Sequence, residues 1–406
     1  MRPFYKCVIL FMEVIVMNYL YKLKEKYSFD QLMIILTCFS LTFPFYICGP
    51  ILIIEFIYLL YTKKAIHAFK NTPKVQYLFI FLGLSAIISL IYQNWVGVAT
   101  VAGLFLAFTL MVYYRQHITP DVFEFVLDML IVLSIFWAIY GLYEQMQILH
   151  RLGVDHFSLK IYSRRENRLN SVFFNANYYA MMIEFLILCI VYKFLTVKNN
   201  IKKSVFYVIV GFINLFMLYM TGCRTALIAI AGAIIIFLII NKNYKICSVI
   251  GVGVLAMLAF FIIKPDKFPR IERLVSNFDV RLKIWRCAIE GIKHHPLFGQ
   301  GPFTYVLIRE MYNGHMTQHA HSVYLDPLLS FGIIGIATII PYIIDNCQRL
   351  WQVFKQGCNR SYVALVISCI VVILLHGIFD YTIMWLHTGL FFLFIASSFS
   401  MYQETK

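Results

Sequence analysis

The chain has 406 residues, 61% hydrophobic and 14% charged, with a mean hydropathy of +0.76 and a formal net charge of +15. Ordinary soluble domains are about 25% charged, so the composition excludes a soluble globular protein. The apolar runs are long and continuous rather than alternating, which disfavours a β-barrel and predicts an all-α integral membrane protein.

Residues 1–29 read as a cytoplasmic N-terminal segment. Within it Cys7–Val16 is apolar, interrupted by Glu13 and too short to span; it reads as an interfacial helix or a signal-like stretch, and either Met1 or Met17 is the start. A bilayer core of about 30 Å takes roughly 20 apolar residues per helix. On that basis residues 30–263 hold nine predicted spans: Gln31–Tyr46, Ile47–Tyr61, Val75–Tyr92, Trp95–Tyr114, Phe123–Gln147, Phe173–Val197, Ser204–Met220, Arg224–Ile240 and Ile246–Ile263. The first two are short, so they are tilted or half-buried. Residues 264–321 interrupt the pattern with nine Lys/Arg and five Asp/Glu, the longest stretch without a hydrophobic run. Residues 322–402 carry three more spans, Ser322–Asn346, Tyr362–Asp380 and Ile383–Met401, and 403–406 form a short tail. The total is twelve, with no internal repeat. The ten cysteines show no C-x-x-C pair, so neither a disulfide framework nor a zinc ribbon is expected.

The positive-inside rule sets the orientation. A cytoplasmic N-terminus puts 20 of the 35 Lys/Arg residues on the cytoplasmic side. The exceptions concentrate in the outside loop Ile148–Val172, in the loop 264–321, and at Arg224. No cytoplasmic segment is long enough for a nucleotide-hydrolysing domain, and there is no P-loop. The pattern points to membrane lipids as surroundings and away from nucleic acid.

In the large loop Asp279 is expected to cap a helix over Val280–Lys293. Arg281, Trp285, Ala288 and Ile292 recur on one face of it, so Arg281 sits on the buried stripe beside Trp285. A guanidinium there takes an anionic ligand or an internal partner such as Glu310. Pro296–Pro302 is a tight turn ending that helix. Arg224 opens the eighth span; it is a snorkelling residue or, with the N–H groups of the helix N-terminus, an anion seat. His319 and His321 form an H-x-H on one side of an extended segment. They serve as a base for a hydroxyl, as structural caps, or as metal ligands needing a third donor from His315 or Asp326, the metal reading being the weakest. Arg168, Asn175 and Asn177 are polar groups at the membrane surface, able to bind sugar or phosphate or simply to cap the next helix. Among the acids in or beside the spans, Glu55, Glu144, Glu184, Asp326 and Asp380, the last lies at the outer face, placed to orient a histidine or pair with an arginine.

These pieces together resemble the O-antigen ligase and O-antigen polymerase superfamily, membrane transferases of bacterial surface polysaccharides. The resemblance runs from about Arg168 to Asp380. It rests on Arg168 with Phe173–Asn177, on Thr221–Leu227, Arg281–Trp285 and Pro296–Gly301, and on His319–Leu325 with Gly332 and Gly335. The family usually has Ser where Cys223 stands and Asn where Ser322 stands. The resemblance implies a GT-C-like helical fold whose catalytic loop faces outward in the bacterial cytoplasmic membrane. It implies a polyprenyl-diphosphate-linked glycan as donor, a glycan, lipid or protein acceptor, and no cofactor or metal. Arg224 and Arg281 are then expected to clamp the diphosphate, and His321 to activate the acceptor hydroxyl for inverting attack. Arg168 would steer the donor, with Asn175, Asn177, His319, Trp285 and Asp380 completing the substrate site. Ligases and polymerases share these motifs; the single large loop tilts the reading to a ligase. A flippase of lipid-linked sugars is the alternative of a different class.

Overall fold

The computed structural model describes residues 21–162, 164–197, 199–264 and 274–402. The apolar Cys7–Val16 stretch, Met17, part of the large loop and the C-terminal tail lie outside the described residues. Helices α1 to α6 are Phe29–Ser40, Phe45–Tyr61, Lys64–Lys70, Val75–Ile91, Trp95–Tyr114 and Pro120–Arg151. Helices α7 to α10 are Ala176–Thr196, Ile201–Met220, Arg224–Ile240 and Tyr244–Ile263. The large loop contributes α11, Leu274–His294, and a short α12, Thr304–Ile308. The last three are α13, Leu325–Lys355, α14, Arg360–His376, and α15, Leu386–Ser397. No strand occurs among the described residues.

Every predicted span overlaps a helix, but the twelve-span count does not follow from helix length. Among the described residues five helices are long and apolar enough to cross a membrane, α5, α6, α7, α8 and α13, and a sixth if α2 and α3, bent by 77°, count as one. A helix of 17 residues, such as α4, α9 or α14, is roughly 25 Å long, short of the hydrocarbon core. The outward faces are nonetheless apolar: Ile54, Trp95, Phe212 and Val249 are all more than half exposed, a surface suited to lipid. α7 is buried nearly all round, with α8, α9 and α14 packed against it.

Bonds between turns fall into two groups, one among segments expected inside and one among segments expected outside. In one group Lys64 and Tyr113 both reach Asp30 at 2.5 Å, Lys193 pairs with Glu124 at 2.5 Å and Asp128 at 3.0 Å, and Asn359 bonds Tyr402. The other group joins segments expected outside. Trp137 donates to Thr42 O at 3.1 Å, Asn94 to Pro302 O at 2.7 Å, and Arg168 Nε to Thr221 O at 3.0 Å.

Two local expectations are corrected. The loop helix starts at Leu274, not after Asp279, so Asp279 is an exposed residue inside α11 and not its cap. Phe278 lies one heptad before Trp285 and meets its ring edge-on at 6.4 Å, extending the apolar stripe upstream. The predicted span Ser322–Asn346 is two helical pieces joined at Gly332 (φ 60°, ψ −177°). The Pro296–Gly301 turn docks into that break. Ile333 N–H donates to Pro296 O at 2.9 Å, Ile334 N–H to Leu297 O at 2.8 Å, and Gly301 N–H to Ser330 O at 2.8 Å. A break in a membrane helix exposes backbone polar groups that lipid cannot satisfy; here the loop turn satisfies them. Any side chain at Gly332 would strike Leu297 and Phe298 backbone atoms at about 2.5 Å.

Candidate active site

Most of the sequence-predicted residues converge at one end of the bundle. The centre is Asp380, just past the end of α14, with only 5% of its side chain exposed. Its Oδ1 lies 2.7 Å from His321 Nδ1 and 4.0 Å from His319 Nε2. Its Oδ2 accepts from Asn177 Nδ2. Asn177 Oδ1 accepts from Arg168 at 2.9 Å, and Arg168 Nε holds the Thr221 carbonyl. An unbroken chain of bonds thus runs from His321 through Asp380, Asn177 and Arg168 to the turn that starts α9. Asn175 is the cap of α7, accepting from Asn177 N–H at 2.8 Å, and so fixes Asn177 for this role.

His319 and His321 do not sit on an extended segment. His321 has a left-handed φ of 48°, and its N–H donates to His319 Nδ1 at 3.2 Å. That turn brings the two rings to 4.1 Å. A non-glycine residue in this region carries strain, held here by the Asp380 bond and by Val323 N–H donating to Gly377 O at 2.8 Å. The other ring nitrogen of His321, Nε2, lies 2.8 Å from Thr317 Oγ1. In the neutral imidazole, with Nδ1–H directed at Asp380, Nε2 is the acceptor and the Thr317 hydroxyl the donor.

Arg281 lies on the inner face of α11, as its periodicity predicts, with Ile284, Cys287 and Ala288 buried alongside. Burial pulls its pKa down, and Asp380 and Cys223 oppose this while Arg168 adds to it. Glu310 is not among the charges that act on it. Trp285, one turn on, stacks at 5.8 Å on Phe379, and its indole N–H is buried with no partner among the described residues. Burial alone would raise the Asp380 carboxyl; His321, His319 and Arg281 instead hold it well below the usual carboxylate range. Burial and the neighbouring His321 push His319 down to about 4, against the pull of Asp380 and Asp326. The site therefore holds a fixed carboxylate and a neutral His319 at neutral pH.

Arg224 is the first residue of α9 and is half-buried; Cys223 before it makes no side-chain cap to the helix. Beside Arg168 opens a cavity of about 240 Å³ lined by Glu166, Asn170, Phe174, Asn175 and Ala176. His319, His321 and Asp380 present ligand atoms within 4.8 Å of one another, a set able to hold a divalent cation. The third donor is Asp380, not His315 or Asp326: Asp326 instead accepts from Ala320 N–H at 2.6 Å. Glu144 and Glu55 serve the scaffold. Glu144 accepts from Asn170 and Ser171 N–H at 2.8 and 2.7 Å, and Glu55 accepts from Tyr114 at 2.7 Å. Sequence reasoning missed Thr317 and the Glu184–His376 pair, which carry no local pattern. The nine described cysteines are free.

No curated protein matches this chain. The model of the O-antigen ligase family matches residues 209–340, which include Arg224, Arg281, the docking turn, both histidines and Gly332. The match covers about a third of the chain, and over that part the chain is similar to the O-antigen ligase family, the same family that its motifs resemble.

Proposed function

We propose that the protein is a metal-independent, inverting glycosyltransferase of the bacterial cytoplasmic membrane, acting at its outer face. It transfers a glycan from a polyprenyl diphosphate to an acceptor hydroxyl. The observation that carries this reading is the environment of His321: a carboxylate on Nδ1 at 2.7 Å and a hydroxyl already on Nε2 at 2.8 Å. The Thr317 hydroxyl occupies the place of an acceptor hydroxyl, and Asp380 stabilises the imidazolium that forms when that proton is taken. In the transfer, the acceptor O–H proton passes to His321 Nε2 while the oxygen attacks the anomeric carbon from the face opposite the diphosphate. The carbon–oxygen bond to the diphosphate breaks, and its electron pair leaves with the carrier. Arg281 and Arg224 neutralise the developing charge. Arg168, Asn175, Asn177, His319 and Trp285 shape the site around the donor.

A flippase would place its charges along a path at mid-membrane; these lie in turns at helix ends. Twelve crossings, several of them short, agree with the sorting of turns into two groups. The test is transfer by purified protein from a polyprenyl-diphosphate-linked glycan to acceptor. H321A and R281A should each lose about 10²- to 10⁴-fold in rate; wild-type transfer by either variant would refute the assignment. Within the family we favour a ligase. A deletion strain should then accumulate long carrier-linked chains, whereas their disappearance would identify a polymerase.

A further inference from the structure

His376, the last residue of α14, has no part in the chemistry above, yet it is 1% exposed and its Nδ1 lies 2.7 Å from Glu184 Oε2, 0% exposed, on α7. Its other nitrogen, Nε2, lies 3.8 Å from Cys223 Sγ. Cys223 is buried and is the N-cap of α9, the residue before Arg224. The same turn is gripped from its other side by Arg168 Nε on Thr221 O at 3.0 Å. The turn itself needs a left-handed residue, Gly222 with φ 64°. A short acid–histidine pair buried in a helix bundle is costly unless its geometry is used, and packing alone would be served by apolar side chains. The next four residues show what is being held. Gly377 O takes the N–H of Val323, two residues after His321; Phe379 stacks on Trp285; Asp380 binds His321 and Asn177. The end of α14 thus touches each arm of the site, and His376 is its link to the Arg224 arm.

We propose that His376, held by Glu184, is a positioning residue for the transfer: through the Cys223 thiol it fixes the turn from which the Arg224 helix starts, and so registers the diphosphate seat against His321. This rests on the glycosyltransferase reading above. The bond to Cys223 calls for a small hydrogen-bonding side chain at that position, so a hydroxyl should replace the thiol and a methyl group should not. His376→Asn keeps an N–H near the Nδ1 position, facing Glu184, and deletes the contact to Cys223.

The experiment compares C223S, C223A, H376N and the C223A/H376N double variant. Donor and acceptor kinetics are measured on purified protein, together with binding of glycan-free polyprenyl diphosphate and the melting temperature. H376N and C223A should each lower kcat/KM for the donor about tenfold, the scale of one lost buried hydrogen bond. The acceptor KM should stay unchanged, carrier binding should weaken in parallel, and the double variant should be no worse than either single one. C223S should stay within about threefold of wild type. If H376N or C223A lowers only the melting temperature and leaves the donor parameters intact, His376 is purely structural and the proposal falls. Additive losses in the double variant would also overturn it. Wild-type protein that binds the carrier but transfers nothing would refute the transferase reading alone, and the carrier-binding series would still decide the role of His376 in the diphosphate seat. Wild-type protein that neither transfers nor binds would overturn both.

Discussion

Replacing Asp380 by asparagine keeps the shape of the side chain and removes its charge. The carboxylate now serves three donors: His321 Nδ1 at 2.7 Å, the Asn177 amide, and Tyr381 N–H at 2.8 Å. An amide has a single acceptor oxygen, so its NH₂ must face one of these donors. Facing Asn177, it leaves His321 in place and loses one charged hydrogen bond, about 1.5–3 kcal/mol, or roughly 10- to 150-fold in rate. Facing His321, it forces the opposite tautomer, with the proton on Nε2, where it blocks uptake from the acceptor; the corresponding change in serine hydrolases costs about 10⁴. D380N should therefore lose about 10- to 10⁴-fold in kcat, with a donor KM near wild type because Arg281 and Arg224 are untouched. The measurement is steady-state transfer by purified variant whose melting temperature shows it folded. A folded D380N with wild-type kcat would refute the role of Asp380 in orienting the base, and with it the choice of Nε2 as the atom that takes the proton.

His319 titrates at about 4 in the fold against about 6.5 in a free chain. Between those values the unfolded chain takes up a proton that the folded site refuses. The stabilisation is thus complete above pH 6.5 and shrinks as pH falls toward 4, by about 3 kcal/mol at most. Melting curves from pH 7 to 4.5 should fall less steeply for H319Q than for wild type; identical slopes would place the acid sensitivity elsewhere. G332A should lower the melting temperature markedly, since its methyl group would overlap backbone of the docking turn and its φ is left-handed, together costing about 2–5 kcal/mol. G251A, with nothing within 4 Å of the added carbon, should be neutral. Chelation should leave transfer unchanged; loss restored by a divalent cation would reassign His319, His321 and Asp380 as metal ligands.

The sequence was informative where function follows a local period. Arg281 and Trp285 could be placed on one helix face because 3.6-residue spacing is a property of neighbours, and the two histidines drew notice because they are two residues apart. The partner of His321 was harder: Asp380 is 59 residues away, and only its expected position at the outer face hinted at the pairing. Glu184 and His376 are 192 residues apart; each alone is a lone polar residue in an apolar run, and nothing local distinguishes either from a tolerated exception. Helix ends were misjudged where packing overrode the cap signal, as at Asp279, where the Phe278–Trp285 contact carries the helix upstream. Length also misled. Continuous hydrophobicity marks what is apolar but does not say where a helix breaks, and Gly332 breaks one that composition runs straight through.

That break has a further consequence. The turn at Pro296–Gly301 is fastened to the membrane helices by main-chain atoms, with glycines where any side chain would intrude. A fastening of this kind asks little of the loop's own side chains, with Asn94 holding the Gln300 and Pro302 carbonyls from the bundle side. On the proposed function, drift in the exposed positions of the loop can retune which glycan is accepted without displacing Arg281 or His321, so long as Gly299, Gly301 and Gly332 are kept. Exchange of this loop between proteins that preserve these three glycines is then a rational route to altered specificity with an unaltered reaction.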